Sequence, residues 1–317
     1  MQKTDIVAVD GGGTKTLLLR VRPDATIAVM RKAGGSNPFD VPEWREVITA
    51  LYAGQDEYCC AAAFGMAGFG ESGRLSGELA QALSATCSAP HVIHNDVDMA
   101  CRGAFLNGPG ILLLSGTGSM AWGLDASGRT GRVGGWGSLF GDEGSAYWIG
   151  RCALSRLAQS LDGRMPDRDG FVARFAAQQG WPTTPEACGA ALQEWYANLI
   201  EPRPVVAALA ADIGRLAAEG CAVSVAIFED AASHLARHIH ALRDRMGAPD
   251  LAWSYAGGTM RSEILREAVS RQCGLPCEPG LPPIGGAVLV AAAKAGWNTD
   301  ASFVARLSST LAEAGLN

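Results

Sequence analysis

The sequence is poor in charge and has no long uncharged apolar run. Only 18% of its 317 residues are charged, and no uncharged apolar stretch approaches the ~18 residues that a membrane span needs. Lys3 and Asp5 precede the first apolar run, so we expect no signal peptide. A net charge of −6 provides no field to attract a nucleic-acid backbone or an anionic membrane. These absences predict a cytoplasmic protein without nucleic-acid or membrane partners.

Paired cysteine motifs are also lacking. The nine cysteines include no C-x-x-C pattern, and Cys273 and Cys277 have no second pair with which to complete a zinc site. The odd number predicts reduced, mostly buried thiols. His234 and His238 are four residues apart without an evident third ligand, so we expect a solvated or half-buried helix face instead of a metal site.

Glycine, in contrast, is abundant, with 40 residues in a chain that is 48% hydrophobic. Three short apolar runs each end in a glycine-rich turn. The apolar run at residues 6–9 is followed by a turn at 10–14, the run at 111–114 by a turn at 115–119, and the run at 251–256 by a turn at 257–259. Apolar residues 17–21 and 120–124 follow the first two turns, which indicates strand, turn and strand. This repeat predicts an α/β fold of two similar domains with a cleft between them.

The second half of the chain has helical patterns. Apolar residues three and four apart predict a long amphipathic helix over about residues 226–246. They are Ile227, Ala231, Leu235, Ile239, Leu242 and Met246. We place the N-terminal domain at residues 1–114 and the C-terminal domain at residues 115–302. A C-terminal helix, residues 303–317, is a candidate to complete the first domain.

The first two turns are candidate phosphate sites. Glycine has no Cβ, so backbone N–H groups can close on a phosphate, and Thr14 adds a hydroxyl donor. Asp10 is placed to hold Mg²⁺ through water. The first turn leads into a strand and differs from the G-x-x-x-x-G-K-[ST] pattern, and an ordinary hairpin turn is the alternative. The candidates are Gly12, Gly13, Thr14, Lys15, Gly116, Thr117 and Gly118.

Asp96 is a candidate general base. It follows a predicted strand at residues 92–93 and precedes a predicted helix, so its carboxylate can accept a proton from a sugar hydroxyl. The alternative role is a helix N-cap, which Asp also favours. Asp98 is the rival base, and we expect it at a solvated helix position. For His94 we expect packing.

Two further segments are candidates for binding a sugar. Residues 134–148 contain Gly-Trp-Gly, whose Trp136 offers a ring face, and Asp142, whose carboxylate suits sugar hydroxyls. Asn37, in the loop at residues 34–38, offers both a donor and an acceptor. A structural glycine-rich turn is the alternative for the first segment, and a plain turn for the second.

The order and spacing of these motifs resemble the N-acetylglucosamine kinase branch of the BadF/BadG/BcrA/BcrD-type ATPase family. The resemblance extends from Val9 to about Gly286, and residues 134–148 are its most specific part. It implies two ribonuclease-H-like, actin-like ATPase domains, and a homodimer. By resemblance, Thr14 and Thr117 contact ATP and Asp96 is the general base. The sugar pocket contains Asn37, Asp96, Gly135, Trp136, Gly137 and Asp142, whereas Gly257, Gly258 and Gly220 approach the adenosine.

The resemblance implies transfer of the γ-phosphoryl group of Mg²⁺-ATP to the 6-hydroxyl of N-acetylglucosamine. Glucosamine kinases share most of these motifs, so glucosamine or an N-acetylmuramic-type sugar stays open as the substrate. An ATPase that activates a partner protein, or a sugar sensor with weak catalysis, is the alternative from another class. Asp96 and the Gly-Trp-Gly segment favour the kinase.

Overall fold

A computed structural model describes residues 3–316, which contain two β-sheets and eleven α-helices. The strands are β1 (Asp5–Gly11), β2 (Lys15–Val21), β3 (Ile27–Gly34), β4 (Cys59–Met66), β5 (His91–His94), β6 (Gly110–Ser115), β7 (Ser119–Leu124), β8 (Thr130–Gly134) and β9 (Trp253–Ala256). The helices are α1 (Trp44–Tyr52), α2 (Gly73–Thr86), α3 (Asp96–Ala104), α4 (Ala146–Leu161), α5 (Phe171–Gln178), α6 (Pro185–Ala197), α7 (Pro202–Ala218), α8 (Ala222–Met246), α9 (Glu263–Cys273), α10 (Pro283–Lys294) and α11 (Ala301–Glu313).

The first sheet has the strand order β3-β2-β1-β4-β5. β1 pairs with β2, and β2 with β3, in antiparallel fashion, whereas β1, β4 and β5 are parallel. Carboxyl ends of parallel strands meet at one edge of a sheet. Asp10 is opposite Gly65 in β4, and Gly65 is opposite His94 in β5. This register brings the end of β1 and the start of α3 to the same edge.

Helices cover both faces of the first sheet. Ile6 and Ala8 of β1 pack in one cluster with α10 and α11, whereas Val7 and Val9 pack in the other with α1 and α2. Successive residues of a strand point to opposite faces, so a strand buried on both faces needs a continuous apolar run. This requirement explains the short apolar run that precedes the first glycine turn.

The second sheet has the order β8-β7-β6-β9. β1 and β2 flank the first predicted turn, and β6 and β7 flank the second, which confirms both strand predictions. β9 begins at Trp253, two residues later than predicted. All six apolar residues of the stripe predicted in α8 are buried. Within residues 3–316, no helix has the length and hydropathy of a membrane span.

The described chain forms two compact units. Unit 1 contains residues 3–112, 123–130 and 278–316, and unit 2 contains residues 113–122 and 131–277. The predicted division at residue 114 lies close to the first of these boundaries. Residues 278–302, which the sequence analysis placed in the second domain, belong to unit 1 because α10 packs against its sheet. α11 lies in the same core.

Unit 1 depends on a close crossing of α3 and α10. A Cβ on Gly286 would lie 1.9 Å from Met99 O and 2.6 Å from Gly103 N, both backbone atoms of α3. Only glycine therefore permits this helix separation.

We expect Gly286→Ala to destabilise the protein by at least about 1–3 kcal/mol, the usual range for overpacking, because the two helix backbones must move apart. Gly77→Ala in α2 is the matched control. Its Cβ would meet nothing within 4 Å, so helix propensity should raise stability by about 0.5–1 kcal/mol. Urea unfolding of both variants checks the prediction, and equal stability of Gly286→Ala and the wild type would contradict it.

Candidate active site

The first glycine turn presents two free backbone donors. Gly12 N donates to Lys15 O at 3.0 Å, whereas the N–H groups of Gly13 and Thr14 have no acceptor within residues 3–316 and are exposed. A Cβ on Gly35 would lie 2.0 Å from Gly13 O, so the loop after β3 packs directly against the turn. Adjacent free N–H groups of this kind form an anion-binding concavity.

Asp10 and Asp96 are partly exposed at the carboxyl edge of the first sheet, and both have raised pKa values. Burial raises the pKa of Asp10 to about 6, against the opposing charge of Lys15. Burial also raises the pKa of Asp96 to about 7, and the negative charges of Asp10 and Glu71 add to the effect. A cation bound beside these carboxylates would relieve both desolvation and mutual repulsion.

Asp96 is not the N-cap of α3. Asn95 occupies that position, and its side-chain oxygen accepts a hydrogen bond from Val97 N at 3.0 Å. The Asn95 amide nitrogen donates to Phe69 O at 3.0 Å. The carboxylate of Asp96 accepts a hydrogen bond from the same Val97 N at 3.0 Å and, among residues 3–316, has no other hydrogen-bond donor outside its own residue. The alternative structural role in the sequence analysis therefore belongs to Asn95.

The prediction of a solvated position for Asp98 was wrong. Asp98 is buried, and its carboxylate pairs with His94 Nδ1 at 2.6 Å and with Arg102 Nε at 3.3 Å. Burial works to raise the pKa of Asp98, but the His94 hydrogen bond and the Arg102 charge hold it below 3.8. Asp98 anchors α3 and is not available as a base.

Asn37 is held in one orientation. Its side-chain oxygen accepts a hydrogen bond from Phe39 N at 3.1 Å, and its nitrogen donates to Asp40 Oδ2 at 2.6 Å. A Cβ on Gly13 would lie 3.6 Å from that Asp40 oxygen. Asn37 therefore lies beside the first glycine turn, in unit 1 with Asp96.

The second glycine turn repeats the geometry of the first in unit 2. Gly116 N donates to Gly118 O at 2.9 Å, and the N–H groups of Thr117 and Gly118 have no acceptor in the described part of the chain. Ala146 N at the start of α4 donates to Gly116 O at 2.8 Å. Each turn thus presents two consecutive free donors.

Asp142 forms a hydrogen bond with the second turn and an ion pair with a residue that the sequence did not indicate. Its carboxylate accepts hydrogen bonds from Ser119 N at 3.2 Å and from Arg203 Nη2 at 2.8 Å. Arg203 is the second residue of α7, 61 positions away from Asp142 along the chain. No local motif marks it, so only the tertiary structure shows this ion pair.

The Gly-Trp-Gly segment is attached to the same turn. Gly135 N donates to Ser119 O at 3.0 Å, and Gly135 and Gly137 have positive φ angles of 73° and 84°. Trp136 is 64% exposed and lies beneath the guanidinium of Arg132.

His238 is buried beside Gly134, and its Nδ1–H donates to His234 O at 2.9 Å. The expectation of a solvated or half-buried position is wrong for His238.

The third turn lies against the second. A Cβ on Gly257 would lie 2.1 Å from Ser115 O, and the Thr259 hydroxyl donates to the same oxygen at 2.6 Å. Gly258 follows at the start of a 3₁₀ turn and is exposed. Gly220, in contrast, follows the far end of α7. The 17 residues of that helix separate it from Arg203 by about 25 Å, and its approach to the adenosine stays a prediction.

The residues present fit a magnesium nucleotide. Each turn, taken by itself, offers two N–H groups without an acceptor among residues 3–316 and one threonine hydroxyl, which are suitable phosphate donors. Within residues 3–316, no three His, Cys, Asp or Glu side chains form a metal cluster. Mg²⁺ needs only one or two carboxylates when phosphates and waters supply the remaining oxygens, which Asp10 satisfies.

A sequence profile of the BadF/BadG/BcrA/BcrD ATPase family matches residues 7–291. An N-acetylmuramic acid/N-acetylglucosamine kinase from Clostridium acetobutylicum is 32% identical over 168 residues, which are 50% of this chain and 55% of that protein. An N-acetyl-D-glucosamine kinase from Dictyostelium discoideum is 37% identical over 79 residues, which are 24% of either chain. The chain thus spans about half the length, or less, of these curated relatives.

Solved structures show the same fold. A protein from Chromobacterium violaceum, named as a candidate N-acetylglucosamine kinase, has a TM-score of 0.70 at 22% identity, covering 90% of this chain and 99% of its own. A ROK family glucokinase from Streptomyces griseus, in complex with glucose and AMPPNP, has a TM-score of 0.56 at 17% identity, covering 91% and 98%. These likenesses confirm the α/β, actin-like ATPase fold.

The raised pKa of Asp96 predicts a pH-dependent stability. Because its folded pKa of about 7 exceeds the ordinary value of 3.8, ionisation destabilises the fold as pH rises between these values. Asp96→Asn, without magnesium or nucleotide, should therefore raise the melting temperature at about pH 8 by at least about 2 °C, and the gain should vanish towards about pH 4.

Asp98→Asn is the matched control with the opposite sign. The folded pKa of Asp98 lies below 3.8, so its stabilisation is present above that value and disappears as pH falls through the folded pKa. This variant should melt below the wild type at about pH 8. Thermal melts that show the same sign for both variants would refute the electrostatic assignment.

Proposed function

Since the chain belongs to the BadF/BadG/BcrA/BcrD ATPase family, we propose that it is an ATP-dependent amino-sugar kinase. The product would be N-acetylglucosamine 6-phosphate, with ADP released. The observation that carries this proposal is the Asp96 carboxylate, which neither caps α3 nor pairs with a cation among residues 3–316. An uncompensated carboxylate beside a phosphate turn is costly for stability and suits proton transfer.

By the family resemblance, a nucleotide contact is proposed for each of the two phosphate turns. In unit 1, the N–H groups of Gly13 and Thr14, with Lys15, would bind phosphate oxygens, and Asp10 would hold Mg²⁺ through water. In unit 2, Thr117 and Gly118 would bind phosphate oxygens in the same manner. When bound, Mg²⁺ neutralises charge on the β- and γ-phosphates. Gly257 and Gly258, next to Ser115, would approach the adenosine.

Asp96 would accept the proton of the sugar 6-hydroxyl as that oxygen attacks the γ-phosphorus. A pKa of about 7 places the base near neutral pH, where proton acceptance is most effective. Most of the rate would come from alignment of the hydroxyl and from backbone donors that stabilise phosphoryl charge. Asn95 contributes by capping α3, which fixes where the Asp96 carboxylate lies.

By the family resemblance, the proposed sugar ligands are Asn37, residues 135–137 and Asp142. Phe39 and Asp40 hold the Asn37 amide in one orientation, so the side chain is preorganised for a sugar hydroxyl. Trp136 offers an exposed ring face. The curated relatives named for N-acetylglucosamine support this sugar, and the relative named for N-acetylmuramic acid supports a related one. The homodimer is proposed from the family resemblance, and the cytoplasmic location from the cysteine pattern, which predicts reduced thiols.

A sugar panel tests the function. ADP release with Mg²⁺-ATP should be strongest with N-acetylglucosamine among N-acetylglucosamine, glucosamine, N-acetylmannosamine, N-acetylmuramic acid and glucose. Preference for glucosamine or N-acetylmuramic acid would keep the kinase and change its substrate. Intact ATP binding with no release above background for any sugar would instead favour an ATPase that activates a partner protein.

Asp96→Asn tests the mechanism. The variant should bind Mg²⁺-ATP almost as the wild type does, because the proposed partner of Asp96 is the sugar and the proposed Mg²⁺ carboxylate is Asp10, whereas turnover should fall by at least ~10²-fold. Calorimetry for nucleotide affinity and single-turnover kinetics measure the two effects separately. Near-normal turnover would exclude Asp96 as the base.

A further inference from the structure

The second phosphate turn has a cationic neighbour whose donors are only partly used. A Cβ on Gly118 would lie 2.7 Å from Asp142 Oδ1 and 3.0 Å from Arg203 Nη2, so this ion pair is in contact with the turn. The Asp142 side chain is 3% exposed, whereas that of Arg203 is 42% exposed. Arg203 Nε is buried and has no hydrogen-bond partner in the described part of the chain. The guanidinium therefore has donors available beside an anion-binding turn.

Two features make the position of Arg203 energetically unfavourable in the absence of a ligand. Arg203 is the second residue of α7, and a cation at a helix N-terminus opposes the helix dipole. Its buried Nε also lacks the hydrogen bond that a buried donor normally requires. An anion at the free N–H groups of Thr117 and Gly118 would lie beside the guanidinium, whose Nη2 is in contact with the turn, and would offset the first cost, because a guanidinium binds phosphate oxygens through several donors.

We propose that Arg203 is a phosphate-binding residue that couples sugar binding to nucleotide binding. Without ligands, Arg203 neutralises Asp142. When sugar hydroxyls bind the Asp142 carboxylate, Arg203 is released to the phosphate group held by residues 115–119. This inference rests on the proposed function, and specifically on Asp142 as a sugar ligand. It adds a residue that no motif in the sequence indicates.

The coupling is measurable as a change in nucleotide affinity. Calorimetry gives the Kd of Mg²⁺-AMPPNP with and without saturating N-acetylglucosamine, or another sugar that the wild type phosphorylates. We expect the sugar to tighten nucleotide binding by at least about 5-fold in the wild type, the lower end of usual coupling. Arg203→Met should reduce this factor to below about 2-fold. It should also raise the KM for ATP at saturating sugar.

Arg174→Met is the matched control, because Arg174 Nη2 forms a comparable ion pair with Glu219 Oε2 at 2.9 Å in unit 2. It should retain the full coupling. If Arg203→Met does not fold by circular dichroism, Arg203→Lys replaces it. Lysine keeps the charge but loses the fork of donors, so coupling should fall to a value between those of the methionine variant and the wild type.

The outcomes separate the inference from the proposed function. A folded Arg203 variant that keeps wild-type coupling and differs only in melting temperature would make Arg203 a static counterion and overturn the inference. Wild-type protein that phosphorylates a sugar without any coupling would overturn it equally. A wild type that phosphorylates no sugar would overturn the proposed function, and the inference with it.

Discussion

The parallel pairing of β1 with β4 and of β4 with β5 is the constraint on which the candidate catalytic edge depends. It places the carboxylates of Asp10, in β1, and of Asp96, after β5, at the same edge of the sheet, where burial raises the pKa of both and the charge of Asp10 raises that of Asp96 further. Like charges held this close are unfavourable in the ligand-free protein. The fold therefore maintains an electrostatic cost that a metal-bound polyphosphate would offset. Such a cost is typical of a binding site, since it serves no purpose in packing.

In the glycine turns, the groups available to a ligand belong to the backbone instead of to side chains. Among the described residues, each phosphate turn leaves two consecutive N–H groups without acceptors, so these donors are available to a ligand. Neighbouring backbone lies so close to these turns that a side chain would not fit. Gly35 lies against Gly13 in this way, and Gly257 lies against Ser115. Backbone donors thereby supply positive potential without charged residues, which is how an acidic, charge-poor chain can hold a nucleotide.

Several features of the site follow directly from sequence patterns. Strand, glycine turn and strand were predictable twice, because strands buried on both faces need continuous apolar runs that glycine then interrupts. The stripe in α8 was predictable from its period. The burial of Asp98 was not predictable, because whether an acidic helix residue faces solvent or a histidine depends on what packs above it. The packing of α10 against the first sheet was also not predictable, because its apolar residues would fit the core of either unit.

By itself, the sequence determined which segments form strands and turns and that the chain belongs to a family of ATPases, because these depend on local chemistry and spacing. Only the tertiary structure decided that Asn95 caps α3 and leaves Asp96 free, that Asp98 is buried in an ion pair, and that Arg203 reaches Asp142. The physical reason is distance along the chain. A carboxylate's charge state and partners are set by groups that folding brings near it, and Arg203 lies 61 positions from Asp142.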